Sequence, residues 1–261
     1  SETIDVTYTA NDQTGKIVYV DVNNNSVEVG HTDLSGKTDA TITITPEAPA
    51  GFDIVPGQTI PASVKAVTTG IPTVTVKVQH HKIVKTPNDQ DLKNLGDMIP
   101  ANPSKKPGDG TPNTAITHSG LVRDMTRTIT INAPANHVGT TTNNMTLHFT
   151  RNATIDDVTG LVSYSDWIPV DATKTGFDAF SIPTIDGYTP KFSAGTGDML
   201  QEQTPTQDQI TNWGQNEYVV IDYMANNQAM NNNYVDAKGN NIATFKVTGK
   251  TDQTVDTNAQ I

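Results

Sequence analysis

The two ends of this 261-residue chain repeat one another, and that self-similarity constrains its architecture more than any other feature. Near the start stand Tyr8, Ala10, Asn11 and Gln13, in the run VTYTANDQ; near the end stand Tyr223, Ala225, Asn226 and Gln228, in IDYMANNQ. Each pair is offset by 215 residues (8 to 223, 10 to 225). Tyr19-Val20-Asp21 returns as Tyr234-Val235-Asp236 at the same offset. After a two-residue deletion, Ser35-Gly36-Lys37-Thr38-Asp39 returns as Thr248-Gly249-Lys250-Thr251-Asp252, and Thr41 as Thr254. A Thr- and Asn-rich chain produces one such match by chance, but not three in register. The expected organisation is one full unit with pieces of two others. Units this long are beads on a string, since solenoid repeats run only about 20–50 residues. Ser1 opens directly on a strand pattern, with no initiating Met or leader, so the chain is expected to be a piece of a longer protein.

The local pattern is that of β-structure. Ile4, Val6 and Tyr8 alternate with polar residues, as do their echoes Val219, Ile221 and Tyr223. Residues 16–22 (KIVYVDV) and 26–34 flank the Asn23-Asn24-Asn25 turn as a hairpin, and Val74, Val76 and Val78 mark a strand over residues 73–80. Further on, Ile129 and Ile131, then Met145, Leu147 and Phe149, repeat the alternation. Residues 217–224 supply a last strand, and residues 201–212 carry the weak signal of a short helix. Threonine, which fits a pleated surface, is over-used, and no long stretch shows helical spacing.

This predicts a mainly β chain, α+β at most, in five segments. Residues 1–10 are the last strand of a preceding repeat or the first strand of domain one. Residues 11–85 form a first, smaller domain, and residues 123–228 a second. Residues 229–261 open the next repeat. Between the domains, residues 86–122 alternate Pro87, Pro100, Pro103, Pro107 and Pro112 with Gly96, Gly108 and Gly110, which reads as a linker with no core of its own.

At these residues the chain resembles the mucus-binding repeat (Mub or MucBP type) of lactobacillus cell-surface adhesins. The resemblance rests on Thr126-Arg127-Thr128-Ile129, on LHFTRNATIDDVTGLVSYSDW from Leu147 to Trp167, on IPTIDGYTP from Ile182 to Pro190, and on EYVVIDYMA. In the first domain it rests on YVD, SGKT and TVTVKVQHHK. It implies two tandem β-grasp (ubiquitin-like) domains in an elongated arrangement, in a secreted protein held on the Gram-positive cell wall. Alternation alone would equally allow a sandwich.

The formal charge of −11 and only three arginines (Arg123, Arg127 and Arg151) argue against nucleic acid, whose phosphates are met by Lys and Arg. No run approaches the roughly 18–20 apolar residues of a membrane span, so no membrane insertion of this stretch is expected. Without cysteine there is no disulfide, thiolate nucleophile or Cys-based zinc site.

Candidate chemistry is sparse. No GxSxG, HExxH or P-loop pattern occurs, and no enzyme activity is expected. His80-His81 has the look of a metal pair, but consecutive strand residues face opposite ways. His137 and His148 could meet across a hairpin, without an evident third ligand. Asp21 to Asn25 opens like a calcium loop, yet Ser26 and Thr32 stand where a glycine and a bidentate Glu belong. Asp156-Asp157 and Asp186 remain the acidic turns that a structural calcium ion would suit; no other cofactor is expected. Asp166, between Tyr164 and Trp167, reads as a turn carboxylate beside a core tryptophan, and Trp213 as either a sugar-stacking platform or a lid over a small core. The expected partners are host mucin glycoproteins, bound with avidity from tandem copies. Immunoglobulin binding through an exposed sheet edge is the alternative, and a structural stalk the third reading. The ligand-binding residues are not legible.

Overall fold

A computed structural model describes residues 2–257, and the ends of the two flanking segments (residue 1 and residues 258–261) lie outside them. In chain order the first nine strands are β1 (Asp12–Asp21), β2 (Val27–Lys37), β3 (Thr41–Thr43), β4 (Phe52–Ile54), β5 (Ser63–Lys65), β6 (Val74–His80), β7 (Lys82–Lys85), β8 (Met98–Ile99) and β9 (Ile116–Thr117). There follow β10 (Val122–Asn132), β11 (Thr140–Thr150), β12 (Ala153–Asp156), β13 (Val162–Tyr164), β14 (Ile168–Pro169), β15 (Tyr188–Ala194), helix α1 (Gln207–Thr211), β16 (Glu217–Ala225), β17 (Asn227–Val235) and β18 (Asn241–Lys250). Strand makes up 45% and helix 5%, so the chain is mainly β. It divides into two compact units. One runs to Val122 and includes Arg151–Asp166; the other holds Arg123–Thr150 and the chain from Trp167 onward.

The first unit has a four-stranded sheet in the order β2-β1-β6-β4. β1 and β2 are antiparallel from Asp12↔Lys37 to Asp21↔Val27, with a bulge at Tyr19/Val20, and β1 runs parallel to β6 from Ile17↔Val74 to Asp21↔Val78. Strand alternation sends Ile17, Tyr19, Val74, Val76 and Val78 into one core, closed by Ile44, Ile60 and Val64. Burying a side chain of this size contributes about 1.5–3 kcal/mol. The Tyr19 hydroxyl remains satisfied in the core, bonded to Thr32 Oγ1 at 3.0 Å and accepting from Glu47 N at 2.8 Å.

The same unit holds a second small core that composition concealed. The Pro- and Gly-rich stretch 86–122, expected to lack a core, contributes Leu92, Ile116 and Leu121, all fully buried with Ala153 and Ile155. Three scattered apolar residues show no periodicity. They are gathered by β12, which pairs with β7 from Ala153↔Lys85 to Asp156↔Lys82. That pairing also places residues 151–166 in the first unit, whereas the sequence pattern had assigned them to a contiguous second domain. Lys105, with its side chain almost wholly buried, holds the stretch down through Asp109 (2.8 Å) and Asp157 (3.0 Å).

The second unit centres on a sheet ordered β14-β11-β10-β16-β15. β10 and β16 are parallel from Arg127↔Glu217 to Asn132↔Asp222, and β15 is antiparallel to β16. Ile129, Ile131, Val219, Ile221 and Tyr223 form one core with Ile185 and Leu200. Met125, Leu147, Phe149, Trp167, Phe177 and Ile210 form another. β17 and β18 pair only with each other among the described residues.

The expected strand at residues 4–8 does not form. Ile4, Val6 and Tyr8 are 85%, 67% and 92% exposed, while their echoes Val219, Ile221 and Tyr223 are buried in β16. Alternation states which face a strand would bury; it does not supply the neighbouring strand.

A groove at Trp213 as candidate functional site

In the second unit, α1 and the segment before it shape one wall of an open groove. α1 is only five residues long and is fixed by its surroundings. Thr206 Oγ1 accepts from Gln209 N at 3.3 Å while Gln209 Oε1 accepts from Thr206 N at 2.8 Å, a reciprocal cap that satisfies two otherwise free N–H groups. Ile210 is buried, and Trp167 Nε1 donates to Thr211 Oγ1 at 2.9 Å. Gln207 completes the lock, accepting from Trp167 N (2.7 Å) and donating to Trp167 O (2.9 Å).

Just past α1, Trp213 is half-buried and tilts against Phe177, with ring centroids 6.4 Å apart. These two aromatics line the groove with Met125, Gln203, Thr204, Pro205, Gln209 and Glu217, around a cavity of about 240 Å³. Trp213 Nε1 has no hydrogen-bond partner among the described residues.

The polar wall is set by a buried arginine. Arg127 is fully buried in β10, with its guanidinium carbon 4.3 Å from the centre of the Phe177 ring. Its Nε donates to Glu217 Oε2 (2.8 Å), Nη2 to Gln203 Oε1 (2.8 Å) and Nη1 to Gln201 O (3.2 Å). Gln203 is fixed further by Nε2 donating to Asp198 O at 2.9 Å and by a two-way backbone bridge to Phe177. Gly176 is required there, because a Cβ would lie 2.5 Å from Gln203 O. Sequence reasoning missed this set, although Arg127 stands in alternation with the inward-facing Met125, Ile129 and Ile131. An arginine on an apolar face must be buried with partners.

The residues singled out from the sequence are mostly spread apart. His80 and His81 engage different carboxylates: His80 bridges Asp21 (3.0 Å) and Asp156 (2.7 Å), and His81 meets Asp53 (2.9 Å). His137 and His148 do not meet across a hairpin; His137 contacts Asp252 at 3.2 Å and His148 contacts Asp124 at 2.7 Å. Asp156 is taken by His80 and Lys82, and Asp157 by Lys105 and Gly110 N, so the two neighbours diverge onto separate cations. Asp186 sits in an exposed turn of the other unit, and no cluster of three His, Asp or Glu groups suited to a metal occurs among the described residues. Asp166 is exposed beside the buried Trp167. The Asn-rich loop is a turn in which Asp21 Oδ1 accepts from Asn23 N at 2.8 Å and Asn25 and Ser26 take left-handed φ values of 49° and 57°.

Burial would lower the His80 pKa, but hydrogen bonds from its ring to Asp156 and Asp21 outweigh that and raise it above the usual value. Burial would likewise raise Asp156, but Lys82, His80 and two backbone N–H groups hold it well below the ordinary carboxylate range.

The sequence model of the Muc B2-like domain, a mucus-binding domain family, matches residues 116–227. That stretch is similar to the Muc B2-like domain. Every residue lining the Trp213 groove falls within it. Among solved structures the chain is similar to Mub-RV, with 23% identity over 81% of this chain and 97% of that one and a TM-score of 0.42. It is also similar to the type 2 repeat of the mucus binding protein MUB from Lactobacillus reuteri, with 23% identity over 82% of this chain and 100% of that one and a TM-score of 0.31. No curated protein matches the chain. Within the matched residues 116–227, several that carry the resemblance are structural. Arg151 Nε donates to Gly120 O at 2.9 Å and its guanidinium stacks on Tyr164, Trp167 locks α1, and Gly187 makes a turn at φ 77°.

Proposed function

We propose that this chain is a non-catalytic adhesin repeat that binds mucin glycans through the Trp213 groove. The observation that carries this is the pairing of an aromatic surface, Trp213 and Phe177, with side chains that Arg127 holds in place, Gln203 and Glu217. A sugar ring lays its C–H face on an indole and directs its hydroxyls to amides and carboxylates, and groups fixed before binding lose little entropy on binding. The match of residues 116–227 to the model of a mucus-binding domain supports the same reading.

The ligand is a neutral sugar. Arg127 is fully buried and spent on three bonds, and the chain carries a net −11, so sialylated or sulfated chains would be repelled. One shallow groove gives weak affinity, and tandem copies on a wall-anchored protein would supply avidity. For the fold, we read both main sheets as β-grasp sheets, because in each the first strand of the opening hairpin runs parallel to a late strand of the same sheet.

The test is binding of the chain to immobilised mucin before and after enzymatic deglycosylation, with a desialylated sample as a third arm. Binding should be lost on deglycosylation and kept or strengthened on desialylation. Equal binding to the deglycosylated protein would overturn the glycan reading in favour of protein recognition.

A further inference from the structure

In the second unit, β11 is paired along only part of its outer edge. β14 covers Phe149 and Thr150, and Val170 N donates to His148 O at 2.8 Å, one step further along the same line. There the chain leaves β11. Asp171 Oδ1 accepts from Thr173 N at 2.9 Å and from Thr173 Oγ1 at 2.7 Å, and Lys174 N donates to Asp171 O at 2.9 Å. These bonds close a turn where the strand would otherwise have continued.

Beyond the turn, residues 174–178 face residues 144–147 of β11 across a cavity of about 230 Å³. His148 turns its carbonyl to this side, and alternate residues of an antiparallel strand turn the same way. Asn144 and Thr146 therefore present their backbone N–H and C=O groups to the cavity. Among the described residues, no segment outside β10 bonds to those groups. An edge of this kind is a template for an added strand. Phe177 lines this slot and the Trp213 groove alike.

We infer that the second unit recognises a glycopeptide rather than a sugar alone, an inference that rests on the sugar reading of the Trp213 groove. An extended Ser/Thr/Pro-rich peptide lies in the slot antiparallel to β11, in the line that β14 begins. Its O-linked sugar crosses Phe177 into the groove. β14 itself shows what the edge accepts: Pro169 stands opposite Phe149, at a position whose backbone makes no ladder bond to β11. Proline at alternate positions is therefore tolerated. Ser- and Thr-rich segments with proline are the usual carriers of O-linked sugars. Their proline keeps them extended before binding, so they lose little entropy in a strand-wide slot.

The test is calorimetric titration with three ligands: a synthetic Thr- and Pro-rich peptide carrying one neutral O-linked sugar, the same peptide bare, and the free sugar. The glycopeptide should bind about tenfold or more tighter than the free sugar, because joining two weak contacts raises effective concentration. Thr146→Pro removes one edge N–H. It should bring the glycopeptide down to the affinity of the free sugar while leaving the free sugar's own binding as in the parent chain. In the parent chain, amide exchange at Asn144 and Thr146 should slow with glycopeptide bound and not with the free sugar. Equal affinity for glycopeptide and free sugar, with unchanged exchange at Thr146, would overturn the slot and leave the groove standing. Binding of the bare peptide as tightly as the glycopeptide, with no binding of the free sugar, would refute the groove and with it the joint recognition.

Discussion

Replacing Arg127 by alanine tests whether the groove is held together as described. The change removes the donors for Glu217 Oε2, Gln203 Oε1 and Gln201 O, and the cation over Phe177. Removing one member of a buried pair costs about 3–5 kcal/mol, because the other is left uncompensated. Glu217 keeps 19% of its side-chain exposure, so water recovers part of that loss and the lower end, about 3 kcal/mol, applies. Arg127→Lys keeps the charge but not the planar fork, so a loss of about 1–2 kcal/mol is expected. Both tryptophans, Trp167 and Trp213, lie in the second unit, so urea unfolding followed by their fluorescence reports on that unit alone. With a slope near 2 kcal/mol per molar urea, the alanine midpoint should fall by about 1.5 M. A midpoint within about 0.25 M of the parent would refute the buried clamp.

Other perturbations reach the remaining features. Gly176→Ala places a Cβ against Gln203 O and should cost about 1–3 kcal/mol in the same fluorescence assay. The raised pKa of His80 means its protonated form contributes stability in full below pH 6.5, and that contribution is lost as pH rises through the higher folded value. Asp156, lowered, contributes above its ordinary 3.8 and loses that as pH falls. Calorimetry should therefore show the first unit most stable between about pH 4 and 6.5, and His80→Gln should remove the decline on the alkaline side. Asp252→Ala removes the acceptor for Asn136 Nδ2 (2.9 Å), Tyr188 OH (2.9 Å) and His137 Nε2 (3.2 Å) and should speed amide exchange across β17 and β18 while leaving β16 unchanged.

Much of the strand content was written in alternation. VTVKV gives the inward valines of β6, and the hairpin about the Asn-rich turn follows from the apolar runs on either side of it. Asp21 and His80 also stand on inward faces, in phase with Tyr19 and Val78, so their mutual contact was legible to a stricter reading. What alternation could not give was partnership. Residues 4–8 have the pattern of a strand with no strand beside it, and Leu92, Ile116 and Leu121 have a core without any pattern. Both depend on pairings between residues far apart in sequence. The groove was half visible, in Trp213 and in an arginine on an apolar face. Gln203 and Glu217 are ordinary surface residue types until the fold sets them on either side of Arg127.

The most direct test of the account is calorimetric titration of the chain with neutral oligosaccharides released from mucin, comparing the parent with Trp213→Ala and Gln203→Ala. The groove predicts a weak, saturable interaction in the parent that Trp213→Ala abolishes and Gln203→Ala weakens about tenfold, each variant retaining its folded circular dichroism spectrum. Binding of undiminished strength by Trp213→Ala would contradict the groove as the site of recognition.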